Sequence, residues 1–93
     1  MTLNWSSHFK RTFKKIISPT PEKKQKLVHT LNDLSENAFA THLRTHKLKG
    51  DLKNCWACYV EYDIRIVFTF VSNEETKEQE ILLLNIGSHD EVY

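Results

Sequence analysis

Ninety-three residues, 40% apolar and 27% charged with a net charge of +1, suit one soluble domain with one modest core. No apolar run approaches the roughly 18 residues of a membrane span, no basic-then-apolar leader opens the chain, and two cysteines are too few for a disulfide framework; the cytoplasm is the expected location. The charge is unevenly divided: residues 1–50 carry ten Lys/Arg and three Asp/Glu, residues 51–93 three Lys/Arg and nine Asp/Glu, so the basic half is either a solvated face or a surface for a polyanion.

Leu3 and Trp5 mark a short first strand, and Ser6 or Ser7 can cap the helix that follows. Phe9, Phe13, Ile16 and Ile17 recur on one helical face, with Lys10, Arg11, Lys14 and Lys15 on the other, until Ser18-Pro19. Thr20-Pro21-Glu22 is a second helix start: a capping hydroxyl, a proline in the first turn and an acid near the positive helix end. Leu27, Val28, Leu31 and Leu34 supply its apolar stripe, His29 sits at the edge of that stripe, and Asn37 closes the helix. The short link predicts an antiparallel helical hairpin. Ala38 to His46 reads as a helical turn plus loop, and Lys47 to Asp51 as a turn.

From residue 55 the grammar changes to strands. Cys55–Glu61 and Ile64–Val71 flank a tight turn at Tyr62-Asp63, and Ile64, Ile66, Phe68 and Phe70 alternate with Arg65, Val67 and Thr69. Ser72 to Glu78 is a polar loop, and Gln79 or Glu80 to Ile86 the last strand. The expected fold is α+β: an N-terminal two-helix hairpin packed on one face of a small, mostly antiparallel sheet, one domain over residues 1–93. Arg65 alternates out of phase with its apolar neighbours, so it points to the face the helices leave open; an ion pair with Asp63 or Glu61 is the plain alternative. Glu91 to Tyr93 lie past the last strand and are expected to be dispensable to the fold.

Several constellations carry chemistry. Cys55-Trp-Ala-Cys58 has C-x-x-C spacing, but two residues three apart on a strand face opposite ways, which disfavours redox pairing. His42, His46, Cys55 and Cys58 have zinc-type spacing, although Trp56-Ala57 favours extended chain over the turn a zinc knuckle needs. Ser88, His89 and Asp90 are neighbours and cannot form a triad, whose members converge from separate segments. What remains is a metal-free set: His46, Lys47 and Lys49 before the sheet, Arg65 within it, His89 and Tyr93 after it, where Gly87 lets the chain leave the last strand. Metal-free RNA cleavage uses those types. The RNA supplies its own 2′-hydroxyl nucleophile, a histidine can move the proton at neutral pH, an arginine can fork onto phosphate, and an aromatic can stack on a splayed base.

His46-Lys-Leu-Lys-Gly50, Val60-Glu-Tyr-Asp-Ile-Arg-Ile-Val-Phe68 and Leu83-Leu-Asn-Ile-Gly-Ser-His-Asp-Glu-Val-Tyr93, in that order, resemble the RelE/ParE superfamily of toxins from bacterial toxin–antitoxin modules, and within it the YafQ-like branch. The resemblance spans nearly the whole chain. It implies a ribosome-dependent, cofactor-free endonuclease acting on messenger RNA in the ribosomal A site. It also implies a cognate antitoxin that wraps the toxin, in a hetero-oligomer that binds operator DNA through the antitoxin. By position, His89 matches the YafQ-type catalytic histidine, Tyr93 the C-terminal aromatic, and His46 and Asp63 a histidine and an aspartate of the YafQ-type site. Arg65 matches a RelE arginine. Ala57 and Tyr59 stand where RelE has two lysines, and Tyr59 where YafQ has a histidine, so the general base is left open. The expected catalytic set is His89 as general acid or base, Arg65 as phosphate clamp, Tyr93 for positioning, and Asp63; the expected RNA-binding set is His46, Lys47, Lys49 and Tyr59. The rival is a non-enzymatic ParE-like inhibitor of a protein such as DNA gyrase.

Overall fold

The computed structural model describes residues 1–88 and Val92. After strand β1 (Leu3–Trp5), the Ser6 hydroxyl accepts the Phe9 amide hydrogen bond at 3.1 Å and caps helix α1 (Ser7–Ile17). Phe9 and Phe13 are buried, and Trp5 meets both edge-on with ring centres 5.0 Å apart. Helix α2 (Lys23–Glu36) begins later than the Thr20-Pro21 signal suggests, with Glu22 at the cap and no side-chain cap bond. The Lys23 and Lys24 amides donate instead to the Thr20 and Pro21 carbonyls, both at 3.0 Å. A tight backbone turn therefore does the work assigned to the Thr20 hydroxyl.

The buried stripe of α2 is Leu27, Thr30, Leu31 and Leu34, the i, i+3, i+4, i+7 set of one helical face. Val28 falls outside it, 41% exposed. Thr30 is tolerated inside because its hydroxyl donates to the Lys26 carbonyl at 2.9 Å. His29 is exposed, its Nε2 3.4 Å from the Asp33 carboxylate, so it is a surface residue and not part of the stripe's edge. Asn37 closes the helix as expected. No helix of the described residues is long and apolar enough to cross a membrane.

A single turn of 3-10 helix (Thr41–Leu43) leads into β2 (His46–Lys47), and a second (Gly50–Leu52) into β3 (Trp56–Glu61), β4 (Ile64–Ser72) and β5 (Gln79–Gly87). The sheet order is β1-β5-β4-β3-β2, with β1 parallel to β5 and the other pairs antiparallel. β2 stands where a plain turn was expected; a two-residue strand is too short to show an alternation. Gly87 ends β5 in extended form, and the left-handed positions among the described residues are Arg44, Gly50 and Lys77.

Alternate strand residues face opposite ways. Cys58, Val60, Ile66, Phe68, Ile81, Leu83 and Ile86 form the main core with Phe9, Leu27 and Leu34 from the helices. The other face carries a second, smaller cluster: Ala57, Val67 and Val92, flanked by Leu48, Cys55 and Leu84. Val92 is only 7% exposed, and its amide donates to the Ser88 carbonyl at 3.1 Å. Val92 lies past the last strand, yet it is seated on the open face, in an apolar seat that the sequence pattern did not reveal.

Candidate functional site

Directly paired residues of neighbouring strands share a face. His46 pairs with Ala57 and Ala57 with Val67; Tyr59 pairs with Arg65 and Arg65 with Gly87. His46, Tyr59 and Arg65 therefore stand on the sheet face that α1 and α2 do not cover, where Val92 is seated. Lys47 pairs with Trp56, a residue packed against the main core, so it leaves the edge strand on the helix side. Lys47 and Lys49 are exposed and do not share the His46 row.

Arg65 is held firmly. Its Nη1 donates to the carbonyls of Glu61 (2.7 Å), Tyr62 (3.1 Å) and Ile64 (3.1 Å), and its Cζ lies 4.7 Å from the Tyr59 ring centre. None of the ion pairs among the described residues involves it, so turn carbonyls replace the Asp63 or Glu61 partner considered from the sequence. All of these hydrogen bonds run through one nitrogen, which leaves the guanidinium oriented but not saturated. A cation on an aromatic face is worth about 0.5–1 kcal/mol at an exposed site.

Arg44 is the residue the sequence did not single out. It ends the first 3-10 turn in left-handed backbone (φ 50°, ψ 38°), and its Cζ lies 4.9 Å from the same Tyr59 ring centre. Its carbonyl oxygen is 3.0 Å from His46 Nδ1. A carbonyl only accepts, so Nδ1 carries a proton, and the neutral His46 ring has its lone pair on Nε2. The only signal available was an arginine two residues before a candidate histidine; nothing in the string foretold a left-handed turn there.

Asp63 sits apart. It is exposed, in the β3–β4 turn, and lines a cleft of about 250 Å³ with Lys15, Thr20, Lys23, Gly87 and Ser88 at the end of the helical hairpin. Among the described residues no hydrogen bond or ion pair joins it to Arg65. The expectations placed on His89 and Tyr93 fall outside the described residues. Cys58 is buried in the main core, and burial pushes its thiol up to about 12, so it is neutral and inert. Cys55 belongs to the opposite cluster. Among the described residues no group of three or more His, Cys, Asp or Glu side chains is placed to hold a metal ion.

Two guanidiniums, a phenol ring and an imidazole on one open sheet face can bind phosphate, meet a base face-on and exchange a proton. The family model for YafQ, described as the bacterial toxin of a type II toxin–antitoxin system, matches residues 1–93. Among solved structures the chain is similar to YafQ from Escherichia coli, at 15% identity over 98% of this chain and 96% of that one, TM-score 0.77. It is similar to a YoeB/ParE toxin from Agrobacterium tumefaciens, at 19% identity over 96% and 99%, TM-score 0.75. It is similar, too, to a chain of a RelBE toxin–antitoxin complex from Mycobacterium tuberculosis, at 15% identity over 95% and 96%, TM-score 0.69. At these identities the likeness is one of fold. No curated protein matches the chain.

Proposed function

Since the chain belongs to the YafQ family of type II toxin–antitoxin toxins, we propose that it is a ribosome-dependent, metal-independent endonuclease of messenger RNA. The 2′-hydroxyl gives its proton to a general base and its oxygen forms the new bond to phosphorus, the bond from phosphorus to the 5′-oxygen breaks, and the leaving oxygen takes up a proton from a general acid. Arg65 clamps the phosphate oxygens as charge builds on them. His89 transfers a proton as general acid or base, Tyr93 positions a neighbouring base, and Asp63 completes the expected set. His46 and Tyr59 contact the RNA on the open face, and Lys47 and Lys49 attract its backbone from the neighbouring sheet edge. The general base is either His46 or His89.

The observation that carries this proposal is the seat of Val92. It packs on Ala57 and Val67, on the sheet face that also presents Tyr59 and Arg65. The described end of the chain thus lies against the face with the phosphate-binding groups, and His89 and Tyr93 are its neighbours in sequence. Toxin action in the cytoplasm is held in check by a cognate antitoxin. The basic residues 1–50 suit an acidic, partly disordered antitoxin that folds on binding, and the joint complex binds operator DNA through that antitoxin.

The test is primer-extension mapping on a translated message with and without the protein. Discrete cuts that need translation, and that vanish with His89→Gln, are expected. Intact RNA together with a DNA gyrase supercoiling defect would replace this function with the ParE-like one.

A further inference from the structure

We propose that Arg44 is a second phosphate ligand of the RNA site and that Tyr59 is the platform positioning it beside Arg65; the inference rests on the function proposed above. Three observations carry it. First, the Cζ atoms of Arg44 and Arg65 lie 4.9 and 4.7 Å from one ring centre, and none of the ion pairs among the described residues involves either arginine. Both guanidiniums therefore lie within about 9.6 Å of each other; like charges at that range repel, and the electron-rich ring offsets part of the repulsion. A phosphate beside the ring and in reach of both would relieve the rest, and planar guanidinium forks match phosphate oxygens well.

Second, Arg44 holds a left-handed backbone (φ 50°) that glycine would adopt without strain and that a long side chain disfavours. Nothing in the turn's own hydrogen bonding needs an arginine: the Arg44 amide donates to the Thr41 carbonyl at 3.2 Å, a bond any residue but proline can make. The residue is exposed, and its guanidinium lies over the Tyr59 ring and not in the core. Third, the same residue's carbonyl sets His46 Nδ1 at 3.0 Å, which couples the Arg44 turn to an imidazole on the same face.

The test uses the full chain on ribosomes programmed with a cleavable message, in single-turnover cleavage over a range of toxin concentrations. Arg44→Gly suits the φ of 50°, so its melting temperature is expected at or above wild type. The toxin concentration for half-maximal cleavage is expected to rise about tenfold or more, as for one lost charge-assisted hydrogen bond, with the saturating rate changed far less. Arg44→Lys should restore part of the loss. Tyr59→Leu, which removes the ring under both guanidiniums, should resemble Arg44→Gly. Binding of a 2′-O-methylated, uncuttable message should show a salt slope shallower by about 0.7 for Arg44→Gly, one phosphate's share on a single strand.

A wild type that cuts and an Arg44→Gly variant with the same half-maximal concentration would overturn the inference and leave the nuclease standing. A wild type that never cuts overturns both. If Arg44→Gly instead weakens antitoxin binding and leaves cleavage intact, the platform serves the antitoxin and the inference is wrong.

Discussion

Truncating Val92 to alanine probes whether the chain's end must be seated on the open face for cleavage. The side chain is 7% exposed and packs on Ala57 and Val67. Removing two methyl groups at about 0.8 kcal/mol per buried methylene-sized group costs about 1.5 kcal/mol, or about tenfold in the seated population. Against this stands an ordering cost of about 1–2 kcal/mol per backbone residue, so the seat is marginal and Val92 should leave it before the domain unfolds. The melting temperature should therefore fall by at most about 10 °C, the full 1.5 kcal/mol spread over a domain of this size. The Val92 amide, which donates to the Ser88 carbonyl, should exchange with solvent about tenfold faster, and single-turnover cleavage should fall by about the same factor. An unchanged exchange rate, or wild-type cleavage from a variant whose Val92 amide exchanges freely, would refute the role of the seat.

Other consequences are as specific. Native Cys58 should resist iodoacetamide in mildly alkaline buffer, because burial raises its thiol to about 12, while half-buried Cys55 reacts; mass spectrometry of the digested adduct separates them, and rapid labelling of Cys58 before unfolding would contradict its place in the core. Glu80 accepts from the Asn4 and Asn73 side-chain amides at 2.8 and 2.9 Å, and those bonds hold its carboxyl below the usual glutamate range. The folded chain therefore releases this proton more readily than the unfolded one. The contribution to stability is present above the unfolded value and is lost as pH falls through the folded value. The melting temperature should drop on acidification across that window, and Glu80→Gln should flatten the drop; identical acid profiles would exclude the coupling. Cleavage should persist after chelation on ribosomes kept intact by another cation, and its loss there would show that a bound metal takes part.

The parts of the fold written as periodic patterns were legible. The alternation from Ile64 to Phe70 placed β4 and put Arg65 on the face away from the helices, and the phenylalanines of α1 marked its buried side. Signals used in an unexpected way were not. Thr20-Pro21-Glu22 promised a side-chain cap, but backbone carbonyls close that turn, so the hydroxyl carries no information about where α2 begins. Val28 looked like stripe, yet the helical angle gives its place to Thr30, a polar residue whose hydroxyl bonds back to Lys26. β2 was too short for any period. At the site, residue types near the sheet pointed to His46 and Arg65, and the family resemblance to Tyr59; the register does bring these three to one face. Lys47 was grouped with them by sequence proximity, although one residue's shift on a strand turns a side chain to the opposite face. Arg44 depends on a left-handed turn, and Arg65's grip on three carbonyls depends on the closeness of the β3–β4 turn; neither leaves a mark in the spacing of residues.

Arg65 is where the proposed chemistry is most exposed to test. Its three carbonyl contacts mean that Arg65→Ala also loosens the β3–β4 turn, so the rate must be read well below the variant's melting temperature and at saturating toxin. The measurement is single-turnover cleavage of a translated message by Arg65→Ala, with antitoxin binding as the check on the fold. A loss of at least about 10²-fold, as for a removed charge-stabilising donor, with antitoxin binding retained, is the expected result. Cleavage within a few-fold of wild type would contradict the assignment of the open sheet face as the site of RNA chemistry.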